Sequence, residues 1–365
     1  MPWLTSRLLV WTLYALYLLF VVEIVLRLAL SSAQITWQLG GDTQATWKRM
    51  WLSRHAAGTE IYYGFDRFDE RRGWASRPSL RNEQVFGDKV LNTNAAGFRG
   101  TREYALEKQP KTLRIAVLGD SFAFGDEVSD DETYPAQLQR AMRDAEVINM
   151  GVHGYGHDQM LLLFEEEGMR YRPDIVVLSF VAADVARNLL TFRDYAKPSF
   201  LLESGTLRLR GVPVPRPEHF LREHRFQPSS LALLEILRER FSRDPNTLRS
   251  QAHKLTAAIL DRLGERCRAI EATYLLFYIP TYSEVEEPTL WAAERDFFDS
   301  YCSRERRVSC ASALPSFLDQ VDRGQSFEHT GHWDAAGNQV IAESLRTHLC
   351  ERTPRLCEAP IGAGG

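Results

Sequence analysis

The chain has 365 residues, of which 44% are hydrophobic and 25% are charged, and its formal net charge is -4. This composition excludes a disordered, a collagen-like or a small disulfide-stapled protein, and the length suits one large domain or two ordinary ones. The 44 basic and 48 acidic residues form no long run of either sign. The charge pattern therefore does not indicate a nucleic-acid-binding protein.

The N-terminal residues 1–33 are predicted to form a membrane anchor. A helix over residues 8–30 would be about 34 Å long, which is enough to cross a bilayer and contact membrane lipid. Glu23 and Arg27 are spaced i,i+4, so they can pair near the outer interface. The alternative is a cleaved signal peptide, because small residues at 31–33 precede a candidate cleavage site. The apolar stretch is long for a signal peptide, which favours an anchor that is retained.

The expected location is the cytoplasmic membrane, with a single span and the main domain in the periplasm or outside the cell. Three basic residues beyond the anchor argue for the opposite orientation under the positive-inside rule: Lys48, Arg49 and Arg54. The cysteines all lie in the last hundred residues. An exported domain could close the short loops Cys302–Cys310 and Cys350–Cys357 and leave Cys267 over, or all five could be buried thiols.

The remaining chain divides into a juxtamembrane collar over residues 34–110, a main domain over 111–350 and a tail over 351–365. The collar is rich in Trp, Arg, Gly and Asn and has weak periodicity, so it is expected to be irregular. It could bind lipid headgroups or a partner, but a structural wrap over the main domain is the favoured interpretation. Within that domain, the proline-rich stretch at about 195–230, with a candidate hairpin at 201–209, is interpreted as an insertion.

Strands and helices alternate through the main domain, which predicts an α/β fold with a parallel sheet covered on both faces. Strands are predicted at 113–118, 147–149, 173–180 and 273–278, and Val308 is a candidate start of a fifth. Helices are predicted from Thr133 onward, at 159–169, at 230–242 and at 249–270, and in a closing helix with Asp334 as its N-cap.

Three loops in this pattern carry residues suited to chemistry. In open α/β sheets, ligands bind beyond the carboxyl ends of the strands. Residues 119–122 follow the first strand and read Gly-Asp-Ser-Phe, which places Ser121 as a nucleophile. Residues 149–156 follow the second strand, and their glycines let a backbone N–H approach a substrate. Residues 328–334 precede the closing helix and contain His332, a candidate base for the serine.

As a set, these motifs resemble the SGNH (GDSL-type) hydrolase superfamily, and more narrowly its membrane-anchored bacterial members. The resemblance covers roughly residues 90–345. It rests on segments 97–100, 114–122 with Gly125, 149–156 and 173–178, and on Gly331-His332-Trp333 with Gly337. It implies a flavodoxin-like three-layer α/β/α sandwich. By the same resemblance, Ser121 matches the nucleophile, His332 the base, and Gly154 the glycine whose N–H joins that of Ser121 in the oxyanion hole.

Two positions depart from the family's pattern. Ala183 stands where the third block has an oxyanion-donating Asn, and Thr330 and His329 stand where an Asp would orient the catalytic His. Losing such a donor costs on the order of 10²–10³ in rate, and losing the orienting carboxylate about 10⁴. Glu328 is a candidate substitute for the carboxylate and Asn188 for the donor, although neither has the expected spacing. Asp120 and Asp184 are candidate supporting residues.

The resemblance implies a serine esterase or O-acyltransferase that acts on acyl esters, most plausibly acetyl, of cell-envelope saccharides. The alternative is a catalytically degenerate domain that serves as a structural or interaction subunit of a membrane protein complex. No cofactor is expected. A metal site is not expected either, because the histidines at 153, 157, 329 and 332 do not have the spacing of ligands on one helix face.

Overall fold

The structure is a computed structural model that describes residues 2–55, 62–110, 112–142, 144–224, 226–242, 244–304, 308–328 and 331–353. The helices in these residues are α1 (Pro2–Ala29), α2 (Ala33–Gly40), α3 (Gln44–His55), α4 (Ser121–Phe124), α5 (Tyr134–Ala141), α6 (His157–Glu166), α7 (Asp184–Arg187), α8 (Pro217–His224), α9 (Ser229–Phe241), α10 (Pro245–Ala269), α11 (Tyr282–Glu286), α12 (Ala292–Arg304), α13 (Leu314–Asp322) and α14 (Ala335–Arg352).

The strands in the described residues are β1 (Asp66–Asp69), β2 (Gly73–Ser76), β3 (Glu83–Phe86), β4 (Lys89–Leu91), β5 (Leu113–Gly119), β6 (Ala145–Gly151), β7 (Ile175–Phe180), β8 (Ser199–Glu203), β9 (Thr206–Arg210), β10 (Thr273–Tyr278) and β11 (Ser309–Ser312). Five of them form the central sheet in the order β11-β10-β7-β5-β6, and all of its pairs are parallel. β6 lies on one side of β5 and β7 lies on the other, so the order in which strands are added to the sheet reverses at β5. In open α/β sheets, loops diverge at such a point and ligands bind there. The predicted flavodoxin-like α/β fold is confirmed.

Side chains on the two faces of the sheet pack into two hydrophobic layers. On β5, Ala116 and Leu118 pack into the layer that holds α6, α10 and α12. Ile115 and Val117 point to the opposite face and pack into the layer that holds α5, α13 and α14. Because successive side chains of a strand point to opposite faces, a strand buried on both sides is apolar at every position. This sandwich fixes the ends of β5, β6 and β7, from which the candidate site is built.

The N-terminal segment contains one helix that is long and apolar enough to cross a membrane, Arg7–Ala29 within α1. By length and composition, such a helix is either a single-pass anchor or a signal sequence. The expected pair of Glu23 and Arg27 is present, with 3.7 Å between the two side chains. The C-terminal end of α1 leads into α2, whose N-cap Ser32 accepts a hydrogen bond from the Ile35 N–H.

The collar is more regular than its sequence indicates. It contains α2, α3 and two antiparallel hairpins, β1–β2 and β3–β4. The expectation of an irregular segment was wrong for these residues, because strands of three or four residues are too short to show a periodic pattern. The hairpin expected at 201–209 is present as β8–β9, with Ser199 paired to Arg210.

One of the two expected disulfides lies within the residues that the structure describes. Cys302 and Cys310 are bonded and join the end of α12 to the edge strand β11. Cys267 is a buried free thiol, as expected for the residue left over. The second expected pair includes Cys357, which lies outside the described residues. Structural disulfides are typical of proteins in oxidising compartments.

Candidate active site

The nucleophile loop begins where β5 ends. Asp120 caps α4, and its carboxylate accepts a hydrogen bond from the Phe122 N–H at 3.0 Å. Ser121 is therefore the first helical residue directly beyond a buried strand, and it is 5% exposed. The short helix ends at Gly125, whose φ of 88° allows the chain to reverse at once. This turn presents the Ser121 hydroxyl at the carboxyl edge of the sheet.

The Ser121 hydroxyl is paired with His332. Its Oγ lies 2.8 Å from His332 Nε2, the distance expected for a nucleophile and its base. His332 is held just before α14, where the Trp333 indole donates to the Pro280 carbonyl at 2.8 Å. Asp334 caps α14 by accepting from the Gly337 N–H, as predicted. The Phe122 ring packs against the imidazole with 5.1 Å between ring centres. The structure therefore brings together the two residues that the sequence analysis named as nucleophile and base.

A carboxylate that the sequence analysis did not consider faces the other nitrogen of the imidazole. Glu127 Oε1 lies 3.5 Å from His332 Nδ1, and its Oε2 accepts the His332 backbone N–H at 3.3 Å. Glu127 has a φ of 68°, so the backbone turns sharply immediately after the nucleophile helix. The distance to Nδ1 is slightly longer than a normal hydrogen bond. Glu127 is thus suitably placed to orient the base.

Glu328, the carboxylate suggested by the sequence, does not have this position. Its side chain is exposed, and its backbone N–H donates to Asp334 at 3.0 Å. The expectation that Glu328 takes the role of the family's missing Asp is therefore wrong, because Glu127 already lies beside His332 Nδ1. His329 and Thr330, which stand at the family's Asp positions, lie outside the described residues. The two acids that directly follow Gly125 were the available signal for Glu127.

A second histidine lies next to the pair. His153 Nδ1 is hydrogen-bonded to Asp126, whose Oδ2 is also 4.0 Å from His332 Nε2. Burial lowers the pKa of His153, but the carboxylates of Asp126, Asp194 and Asp66 outweigh this effect and raise it to about 9. His153 is therefore cationic at neutral pH, and its charge compensates the acidic groups around it.

Gly154 lies in a crowded part of the loop after β6. Its φ is +74°, and an added Cβ would meet the Asp194 carboxylate at 2.4 Å and the Arg193 guanidinium at 2.6 Å. Only glycine fits both the backbone conformation and the space. In the part of the chain that the structure describes, the backbone N–H groups of Gly154 and Ser121 donate to no protein acceptor. Both are thus available to a ligand atom.

Ala183 follows β7 and packs with the apolar layer of α5, α13 and α14. Its side chain carries no donor, so it cannot replace the amide that the family has at this position. The oxyanion site suggested by the sequence would therefore lack this side-chain donor and depend on backbone N–H groups.

Asp120 and Asp184 are joined behind the nucleophile by Arg187. The Arg187 guanidinium donates to Asp120 Oδ2 at 3.0 Å and also to Asp184. Burial raises the pKa of Asp184 well above its ordinary value, and Arg187 opposes this shift. The cluster ties the loop after β5 to the loop after β7. Both aspartates therefore hold these two loops in place behind Ser121.

Asn188 does not face the nucleophile. Its amide donates to Thr256 at 2.7 Å and lies 3.2 Å from His157 Nδ1, while its oxygen accepts the Asp158 N–H at 3.2 Å. Burial and the Arg187 charge lower the pKa of His157 to about 3, so this histidine is neutral. The proposal that Asn188 replaces the missing oxyanion donor was wrong, because packing between α6, α7 and α10 uses its amide.

Metal binding has no support within the described ranges. No group of three or more His, Cys, Asp or Glu side chains in them is placed to hold a metal ion. His153 and His157, which the sequence places close together, have different partners: His153 bonds Asp126 and His157 faces Asn188.

Solved structures with similar folds are distant in sequence. They include a G-D-S-L family lipolytic protein from Desulfitobacterium hafniense (12% identity, TM-score 0.39, covering 65% of this chain and 99% of that one). An acetylxylan esterase from Geobacillus stearothermophilus has 13% identity and a TM-score of 0.39, and the match covers 65% of this chain and 94% of that one. An α/β hydrolase from the Lake Arreo metagenome has 14% identity and a TM-score of 0.42, with 68% and 97% covered.

No curated protein resembles the chain closely enough in sequence to count as a match. The sequence model of the GDSL-like lipase/acylhydrolase family, however, matches residues 117–340, which is more than half of the chain. This match includes the nucleophile loop, the glycine loop and the histidine loop. The protein therefore belongs to the GDSL-like lipase/acylhydrolase family, within the SGNH hydrolase superfamily that its motifs indicated.

Proposed function

We propose that the protein is a serine esterase or O-acyltransferase that acts on small acyl esters, with acetyl esters of cell-envelope saccharides as the favoured substrates. One observation carries this proposal: the 2.8 Å contact between Ser121 Oγ and His332 Nε2 at the carboxyl edge of the sheet. Family membership supports the same reaction class. A nucleophilic hydroxyl with an adjacent base is the arrangement that ester cleavage requires.

In the proposed mechanism, Ser121 Oγ attacks the ester carbonyl and His332 Nε2 takes the hydroxyl proton. The Ser121 and Gly154 N–H groups stabilise the oxyanion of the tetrahedral intermediate. Glu127 stabilises the imidazolium from the Nδ1 side. His332 then gives the proton to the leaving alkoxide, which departs as an alcohol. Water or a sugar hydroxyl attacks the acyl-enzyme, and His332 again serves as base before Ser121 is released.

The surroundings of Ser121 favour a short acyl group and a polar alcohol portion. Ser121 is nearly buried, and the Gly154 side of the site is closed by Asp194 and Arg193. The neighbouring side chains Asp126, Glu127 and His153 are polar, so they offer hydrogen bonds to hydroxyl groups rather than a channel for a long hydrocarbon chain. These features support acetyl transfer to or from a saccharide.

An extracytoplasmic location is part of the proposal. The Cys302–Cys310 disulfide favours an oxidising compartment, and Arg7–Ala29 has the length of a single membrane span. Together they favour an active site outside the cytoplasmic membrane, close to envelope saccharides. The required test of orientation is access of an impermeant thiol reagent to an engineered surface cysteine in intact cells.

The decisive test of the reaction is turnover of a chromogenic acetyl ester by the full-length protein in detergent micelles. We expect Ser121→Ala to abolish the activity, and a serine-directed fluorophosphonate to label Ser121 in the unsubstituted protein. Ser303→Ala, which removes an exposed hydroxyl from α12, is the matched control and should retain full activity. Equal background rates in all three proteins, with no labelling, would refute the esterase proposal.

The second candidate function is that of a degenerate domain within a membrane complex. Ala183 favours it, because one oxyanion donor of the family is absent. The two candidates predict different results in the labelling experiment. An unreactive Ser121 in a correctly folded protein would favour the interaction module, and co-purification of its membrane partners would be the next experiment.

A further inference from the structure

Helix α9 is attached to the N-terminal helix by its first turn. The Glu23 carboxylate accepts hydrogen bonds from the backbone N–H groups of Ser229 and Ser230, the latter at 3.1 Å. These N–H groups have no partner inside α9, because the first turn of a helix leaves its donors unpaired. A carboxylate at this end of a helix is also favoured by the helix dipole. The contact therefore fixes where α9 begins along α1.

The contact with Glu23 indicates how deep the start of α9 lies relative to the candidate membrane span. Glu23 lies about 9 Å before Ala29, the outer end of the apolar span, at ~1.5 Å per residue. Further out, Leu30 is buried against Ala232 and Ile236 of α9. Because residue numbers rise together along both helices, α9 runs outward alongside α1. Its first turn is its deepest part.

The first half of α9 and the three residues before it carry no charge and expose large apolar side chains. Residues 226–234 contain no charged side chain, and the first charge after them is Glu235. Phe226, Leu231 and Leu234 are 83%, 51% and 62% exposed. Large apolar side chains exposed together on one face mark an interaction surface. Charged residues appear only in the second half of the helix, which lies farther from the span.

We propose that residues 226–234 are inserted among the lipids of the outer leaflet, beside the N-terminal helix. Lipid is the expected occupant because the surface continues that of α1, where Ile24, Val25 and Leu28 are exposed at the same level. Glu23 also pairs two of the backbone N–H groups that the first turn of α9 leaves without an intrahelical partner, which lowers the cost of placing this turn in a low-dielectric environment. The main domain is thereby held against the membrane at two places, at α1 and at the start of α9.

Lipid contact can be measured with an environment-sensitive fluorophore on single cysteines in the full-length protein. Leu231→Cys, Leu234→Cys and Phe241→Cys report successive levels of α9, and Val321→Cys on α13 is the matched exposed apolar control. The proteins are reconstituted into vesicles of phosphatidylethanolamine and phosphatidylglycerol that carry a spin-label quencher near the headgroup end of the acyl chain. The unsubstituted protein gives the labelling background of the native cysteines.

We expect blue-shifted emission and strong quenching by the spin label at Leu231, and weaker quenching by the spin label at Leu234. The fluorophores at Phe241 and Val321 should instead be quenched by aqueous iodide. Water-like emission at Leu231 and Leu234 would overturn the proposal. Shielding from iodide without lipid quenching would also overturn it and would assign the surface to a second copy of the chain. A label at Leu19→Cys on α1 tests the anchor separately, so failure of α9 insertion is distinguishable from failure of the anchor.

Discussion

Glu127 is the acidic side chain next to His332 Nδ1, and its removal tests whether it orients the base. We expect Glu127→Gln to lower kcat by about 10²-fold with little change in KM. This is less than the ~10⁴-fold cost of losing a fully engaged triad carboxylate, because the 3.5 Å contact is long and partly exposed. The measurement is steady-state turnover of the acetyl ester, with thermal unfolding to show that the fold is intact.

Two variants act as controls for Glu127→Gln. Glu328→Gln removes an exposed carboxylate from the histidine loop and should leave kcat unchanged. Glu127→Asp keeps the negative charge and should recover part of the lost rate. If Glu328→Gln lowered kcat and Glu127→Gln did not, the assignment of the orienting residue would be reversed.

His153 is expected to make stability depend on pH. Its pKa is raised to about 9 in the folded protein against 6.5 as the ordinary value, so its contribution is complete below pH 6.5 and is lost as pH rises through 9. His153→Gln should therefore destabilise the protein by on the order of 2 kcal/mol at pH 6, and by less at pH 9.5. Urea unfolding of both proteins across this range measures the difference.

The comparison between the two proteins measures His153 together with its effect on Asp66, because the His153 charge lowers the pKa of that carboxyl. Burial raises the pKa of Asp66 to about 8, and this carboxyl also makes the folded state less stable as pH rises. Asp66 is present in both proteins, together with Asp126 and Asp194, which face His153. A stability difference that stayed constant from pH 6 to 9.5 would contradict a cationic His153.

The sequence indicated the two residues that the structure brings together, because both lie in recognisable local motifs. Ser121 follows a strand and precedes a helix turn, and His332 precedes a capped helix, so each has a recognisable local pattern. Glu127 has only the pair of acids after Gly125 as a signal, and that pair does not indicate its partner, because the proximity of Glu127 to His332 depends on a sharp backbone turn and on packing of two loops that are distant in sequence. Asn188 was misassigned for a similar reason: its partner Thr256 belongs to α10, and no spacing rule indicates that contact.

At the scale of elements, the loop after β6 combines a left-handed backbone with close packing. We expect Gly154→Ala to lower the free energy of unfolding by at least about 2 kcal/mol, because backbone strain is added to the clash with Asp194 and Arg193. Gly205→Ala is the matched control, since Gly205 has a φ of +79° and open space around it. It should cost only about 1 kcal/mol. Chemical denaturation of both variants measures the two values.

The difference between these two glycine variants measures crowding in the candidate oxyanion loop. Equal losses of stability would show that Asp194 and Arg193 move aside easily. The folded fraction of Gly154→Ala should also have a lower kcat, because the added methyl group displaces the loop that carries the proposed oxyanion donor. Gly205 lies in the β8–β9 turn, so its variant should keep its activity.

The main strands and helices were predictable because each has a clear local pattern. β5 and β10 are short runs of β-branched and aromatic residues, and α14 begins at a recognisable cap. The collar was not predictable, because the position of β1–β2 depends on contacts with the main domain. Trp74 of β2 donates to the His153 carbonyl at 2.8 Å, and the Tyr155 hydroxyl donates to the Trp74 carbonyl at 2.6 Å. Such contacts are visible only in three dimensions.

At the scale of the whole molecule, the collar connects the N-terminal helix to the candidate site. Arg54 of α3 lies over the Tyr63 ring at 4.3 Å, and the Tyr63 ring contacts that of His153. The collar therefore packs directly against the loop that holds Gly154. This arrangement supports its interpretation as a wrap over the domain and gives the site a fixed position relative to the outer end of α1.

The C-terminal end of α1 is also part of the folded body, which predicts that the N-terminal segment is retained. Leu30 is fully buried, and its carbonyl accepts hydrogen bonds from Thr36, Arg49 and Ser53. Cleavage after residue 33 would remove these acceptors and would also remove Glu23 from the start of α9. We therefore expect the mature protein to contain residues 1–33 and to resist extraction from membranes by alkaline carbonate.

Intact mass spectrometry of protein purified from membranes gives a direct answer, because retention and cleavage differ by the mass of the whole segment. Leu30→Asp provides a second measurement, since a buried charge would break the packing against Ala232 and Ile236 without shortening the apolar span. This variant should remain in the membrane but unfold at a lower temperature. A soluble mature chain that begins after residue 33 and is as stable as the full-length protein would show that α1 is a signal sequence.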